Sequence, residues 1–142
     1  MTRPPRDAGT PDSAALRATA ACQGAFNVLT GLWPLVHMGS FEAVTGPKHD
    51  KWLVRTVSGL LVTIGVEQLR SVRSGQGLQS ARRMGVGTAA TLVAIDVFYA
   101  SRGRISKVYL LDAVVEVMIL TSWLAARRPV EGSAGRRDKA AG

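Results

Sequence analysis

A chain of 142 residues supplies material for one domain, but 46% hydrophobic residues, 15 glycines and a positive mean hydropathy do not describe an ordinary soluble one. The net charge of +8 would suit nucleic acid, yet the basic residues gather at the ends of apolar blocks instead of forming a stripe with interleaved aromatics, which argues against a nucleic-acid partner. The single cysteine, Cys22, excludes an intramolecular disulfide, and no His, Cys or acidic set has the spacing of a metal or cofactor site.

Residues 1–14, rich in proline and charge, are expected to form a disordered cytoplasmic tail, with Asp12 or Ser13 capping a helix that begins near Ala14. Residues 127–142 are the basic counterpart. Between them, residues 15–126 divide into four apolar blocks, about 18–40, 52–70, 83–101 and 105–126. Each approaches the ~20 residues that cross a ~30 Å hydrocarbon core. The fold expected is all-α, an integral membrane four-helix bundle in contact with the lipid bilayer. Twelve of the 18 Lys and Arg residues fall on the side of the two termini, which places both termini in the cytoplasm and the chain in the cell (inner) membrane. Trp33, Trp52, Tyr99 and Tyr109 then lie toward the outer interface and Trp123 toward the inner one.

In the first block Gln23, Asn27, Thr30, Pro34 and His37 recur at helical spacing, and Pro34 bends or ends the helix near His37. Residues 40–44 should then cap the outer mouth of the bundle. Gly46-Pro47 breaks the chain, and Asp50 stands where an N-cap for the second block is wanted. The second block aligns Thr56, Gly59, Thr63 and Glu67 on one face, with Glu67 one turn from Arg70 and suited to an ion pair at the membrane edge. Residues 71–80 read as a flexible inner loop without the context of a phosphate loop. The third block aligns Gly85, Thr88, Leu92, Asp96 and Tyr99. Gly59, Gly85 and Gly87 permit close helix contact, within one chain or between the chains of a homo-oligomer.

The fourth block places Asp112 and Glu116 one turn apart, on one face with Tyr109 and Trp123. A central acid costs roughly 2.5 to 3.5 kcal/mol to insert, and each Leu, Ile or Val returns about 0.3 to 0.6. The ten Leu, Ile and Val residues from Ile105 to Leu124 therefore barely offset two acids. Asp112 and Glu116 are expected to turn toward the other helices, where they can be paired, hydrated or protonated.

Depth along the helices places Asp96, Tyr99, Tyr109, Asp112 and His37 in the outer half, near Glu42 and Arg55, with Glu116 and Asn27 near the middle. The expected site is a cavity opening outward, floored by Glu116 and covered by the loop from Ser40 to Asp50. Its candidate catalytic groups are Asp112, Glu116 and His37. Its candidate binding groups are Asp96, Tyr99, Tyr109, Glu42, Arg55, Trp33 and Asn27. Two readings stay open for Arg55, pairing with Asp96 or Asp112 or reaching lipid headgroups, and two for His37, proton transfer or a bond to a carbonyl freed near Pro34.

Four short spans, the loop sequence SFEAVTGPKHDKWLVRTV and acids on inner helix faces resemble the small bacterial membrane proteins of the DoxX-like group. More distantly they resemble the sterol-isomerase and sigma-2-receptor type of bundle. The resemblance implies a lipid-accessible cavity in which acids face a cationic ligand or a developing carbocation, with Asp112 and Glu116 as the candidates. Three functions follow: binding of a small amphipathic or cationic molecule, an acid–base isomerase or cyclase acting on an apolar substrate, and a structural subunit of a membrane complex.

Overall fold

The computed structural model describes residues 11–126, which form five helices and no strand. The expectation for residues 127–142, and that for residues 1–10, lie outside the described residues. Helix α1 runs Pro11–Val36, α2 Met38–Thr45, α3 Lys51–Ser74, α4 Leu78–Ser101 and α5 Tyr109–Ala125. The four apolar blocks thus become four long helices, with the expected cap realised as the short α2. Several boundaries differ from the expectation. Helix α1 starts at Pro11, ahead of both proposed caps, and the inner loop shrinks to residues 75–77. Gly75 and Gly77 make that turn possible, with φ of 68° and 75°, where glycine alone carries no penalty. Residues 105–108 belong to the loop before α5.

The chain runs up and down, α1 packing chiefly on α3 and α4 on α5. The first pair approaches closely through small residues. A Cβ on Gly24 would come within 2.9 Å of the Gly65 carbonyl oxygen, and one on Gly31 within 2.7 Å of that of Ser58. Of the glycines expected at contacts only Gly85 is at one within the chain; a Cβ on Gly59 or Gly87 would meet no atom of another helix within 4 Å. At the loop end of the bundle the Arg17 guanidinium donates to the Val72 carbonyl at 3.0 Å, supplying a partner that the last turn of α3 lacks.

The core is unusual in what it buries. Its largest fully buried side chains are Trp123, Gln23, Gln68, Glu116, Asn27 and Pro34. Gln23 holds the four long helices together: its Nε2 donates to the Gly85 carbonyl at 2.9 Å, and its Oε1 accepts from Gln68 Nε2 at 2.7 Å and from Trp123 Nε1 at 2.8 Å. Asn27 Nδ2 adds a bond to Gln68 Oε1 at 3.2 Å. Trp123, expected at the membrane interface, is thus a core residue whose indole N–H has a buried acceptor.

Outside, by contrast, Leu29 and Val36 of α1, Leu60 of α3, Ile95 and Val97 of α4 and Val114 and Met118 of α5 are exposed. By length and apolar composition one of the described helices, Leu78–Ser101, is suited to cross a membrane.

The face of α3 corrects the sequence reading. Thr56, Thr63 and Glu67 are exposed, while Ser58, Gly65, Gln68 and Ser71 are buried. Both threonines bond their own helix, Thr56 Oγ1 to the Trp52 carbonyl at 2.9 Å and Thr63 Oγ1 to that of Gly59 at 3.0 Å, so their hydroxyls need no interior partner. Glu67 pairs with Arg70 at 2.7 Å on the surface, as the spacing predicts.

Candidate functional site

Between the two helix pairs, in the half of the bundle that α2 covers, lies a cavity of about 490 Å³. That volume is in the range of small-molecule sites, roughly 300 to 1,000 Å³. The residues that open it follow from local sequence. Pro34 removes the N–H that would bond the Thr30 carbonyl, and α1 stops two residues later. His37 then caps α2, its Nδ1 accepting the Ser40 N–H at 3.1 Å, while Trp33 Nε1 donates to Ser40 Oγ at 2.8 Å. The Trp33 and Phe41 rings meet edge to face at 5.6 Å. This corner turns α2 across the end of the bundle and brings Phe41, Val44 and Thr45 into the cavity wall.

The return from α2 to α3 is clipped by Glu42. Its Oε1 accepts the Lys48 amide at 2.9 Å and its Oε2 meets Lys51 Nζ at 2.8 Å. The Lys51 ammonium first, and the Lys48 amide second, hold the Glu42 carboxyl below its ordinary range. Asp50 occupies the N-cap position of α3, but its side chain makes no capping bond.

The wall is mostly apolar, with Leu53, Val57 and Leu61 of α3 facing Val108, Leu111 and Val115 of α5. Against this wall stand three acids, Asp96 from α4 and Asp112 and Glu116 from α5. Glu116 is fully buried and Asp96 is 5% exposed. Both Glu116 carboxyl oxygens and Asp96 Oδ2 have no hydrogen-bond partner among the described residues. Asp112 is half-buried, and its carboxyl lies against that of Asp96. No Lys, Arg or His is among the described residues that line the cavity. Nor do the acids converge as a metal set: among the described residues no group of three His, Cys, Asp or Glu has that geometry.

Of the expected site residues the fold brings together Asp96, Asp112, Glu116, Tyr109 and Trp33, all of which line this cavity. It leaves the others outside. His37 is exposed and committed to capping α2, so it is not placed to exchange protons with the acids. Glu42 is held in the clip, and Arg55 is exposed and does not line the cavity. Tyr99 is exposed, its ring 5.1 Å from that of Phe98. Asn27 lies within the buried amide network instead of in the wall. Sequence reasoning missed Gln68, whose signal is chemical: a long amide cannot satisfy itself on its own helix turn as Thr does, so within an apolar helix it needs a partner across the interface.

Chemically, a sheltered set of carboxylates without a basic neighbour can hold a cation or exchange a proton with a guest, and the apolar wall suits a hydrocarbon or aromatic body. No protein-family model, curated protein or solved structure matches the chain.

Proposed function

We propose that the four long helices cross a bilayer and that the cavity binds a small amphipathic cation, an organic ammonium whose charge meets Glu116, Asp96 and Asp112 while its apolar body lies along α3 and α5. The observation that carries this reading is the set of buried carboxyl oxygens without partners among the described residues in a mostly apolar cavity. Buried charges are retained where something pairs them, and the cavity wall offers no internal cation. Residence in lipid is supported by the inverted polarity of the bundle, with amides and acids inside and Leu, Ile, Val and Met outside. Charged groups of α3 stand near its ends, and from Thr56 to Val66 it carries none. Membership of the DoxX-like group, location in the inner membrane and cytoplasmic termini belong to the same proposal.

The test is equilibrium binding of dodecylamine, dodecanol and dodecanoate to the full chain reconstituted in lipid vesicles. The amine should bind most tightly, and Glu116→Gln should weaken it by about tenfold or more, the equivalent of about 1.4 kcal/mol. The substitution should leave dodecanol binding and thermal stability intact. Equal binding of the three amphiphiles, or an amine affinity indifferent to Glu116→Gln, refutes the reading.

A further inference from the structure

Beside the α2 end of the cavity, outside its lining, stands a cation that belongs to the protein. Lys48 Nζ stands 5.0 Å from the centre of the Tyr109 ring and 5.9 Å from that of Phe41, and donates to the Thr45 carbonyl at 3.0 Å. Those three partners, Tyr109, Phe41 and Thr45, all line the cavity. Two ring faces and a carbonyl oxygen are the groups that recognise an organic ammonium, since the ring quadrupole attracts a cation within about 6 Å of the centroid. Lys48 reaches them from a short irregular segment, residues 46–50, that follows Gly46 at φ 88°. Its main chain is tied to Glu42, and its ammonium, though it feels the Glu42 charge, makes no salt bridge among the described residues, whereas the neighbouring Lys51 is paired with Glu42.

We infer that Phe41, Tyr109 and the Thr45 carbonyl form an ammonium subsite at the cavity mouth, occupied here by Lys48, which an incoming organic ammonium displaces on its way to the acids. This rests on the cavity's binding an ammonium ligand, and it adds a second recognition point with a tethered competitor. Charges are ordered along the path: an aromatic rim that recognises cations weakly, then carboxyl groups that hold them. The main-chain clip at Glu42 lets the Lys48 side chain swing away without unfolding the segment.

The experiment follows the association rate of butylamine, added in the aqueous phase, and of dodecyltrimethylammonium, carried in the membrane, with the reconstituted full chain. Intrinsic fluorescence reports arrival, since Trp33 lines the cavity. Lys48→Met keeps the length of the side chain and removes its charge. It should speed association by about two- to fivefold, the size of a surface cation–π contact. Tyr109→Leu in the Lys48→Met background should abolish that gain, and Lys51→Met, which removes a nearby charge already paired, should not reproduce it. Acceleration of both probes supports a subsite open to either phase, and acceleration of dodecyltrimethylammonium alone supports one reached from lipid. Unchanged or slower association in Lys48→Met, or an equal gain in Lys51→Met, overturns the subsite while leaving the acid-lined cavity standing. Failure of the unsubstituted chain to bind either probe overturns both. Matching unfolding midpoints for the variants establish that the rates report the mouth and not a loosened fold.

Discussion

Adding one methyl group at Gly85 and at Gly87, two residues apart on α4, should change stability in opposite directions. Intrinsic propensity favours Ala over Gly in a helix interior by about 0.8 to 1.0 kcal/mol, so each substitution begins with the same gain. At Gly87 a Cβ meets nothing within 4 Å, and the gain is kept. At Gly85 the same atom would lie 2.8 Å from Trp123 Nε1 and 2.9 Å from Gln68 Nε2, and would collide with Gln23 Oε1. Overpacking of a buried contact costs about 1 to 3 kcal/mol. Separating Gln23 from its two donors leaves them buried without an acceptor, adding about 1 to 3 kcal/mol for each bond that fails to re-form. With one such bond lost, Gly85→Ala should be destabilised by about 1 to 5 kcal/mol net and Gly87→Ala stabilised by up to about 1 kcal/mol. Reversible unfolding of the purified full chain in detergent micelles, followed by circular dichroism, measures both. Gly85→Ala at or above the stability of the unsubstituted chain, or equal losses at the two positions, refutes the account of the amide network as the point where the helices meet.

Two further outcomes test the ends of the bundle. Because Lys51 and the Lys48 amide depress the Glu42 pKa, the clip contributes stability that is present above the ordinary glutamate range and is lost as pH falls through the lowered value. A Glu42 titration by NMR should show a midpoint below 4.5 that rises in Lys51→Met, and a midpoint indifferent to that substitution contradicts the ion pair. At the other end, Arg17→Met should cost about 1 kcal/mol through loss of the charged bond to the Val72 carbonyl, read by the same unfolding assay. Faster amide exchange should then appear in the last turn of α3, and unaltered exchange there counts against Arg17 as its cap.

The elements were legible in the sequence because block length and the breaks at Pro34, Gly46-Pro47 and the Gly-rich turn are local signals. Which face of each helix turns inward was legible only in part. The lines through Gln23 and Asn27 and through Asp112 and Glu116 point inward because amides and acids have no partner on an apolar surface. The line through Thr56 and Thr63 points outward, since a hydroxyl bonded to a carbonyl four residues back presents a methyl group to its surroundings. His37 and Tyr99 failed for a different reason. His37 lies beyond the end of α1, and Tyr99 is one position off the buried line of α4, which runs from Asp96 to Ala100.

On the proposed reading, the two polar groupings of the interior divide the labour between holding the bundle and receiving a guest. In the half nearer the Gly75–Gly77 turn, Gln23, Gln68 and Trp123 exchange bonds that cross all four long helices. In the half under α2, α1–α3 and α4–α5 stand on either side of the cavity, and Asp96 Oδ2 and both Glu116 carboxyl oxygens are left without partners among the described residues. A scaffold made only of polar contacts would satisfy its acids as it satisfies its amides, because an unpaired buried polar group costs far more than a neutral replacement. Asn27 stands where the two regimes meet: its Nδ2 serves the network through Gln68, and its Oδ1 has no donor among the described residues. If the cavity receives the proposed cation, the amide network is what holds the helices together while the other half of the bundle keeps unpaired the groups a fold alone would have satisfied.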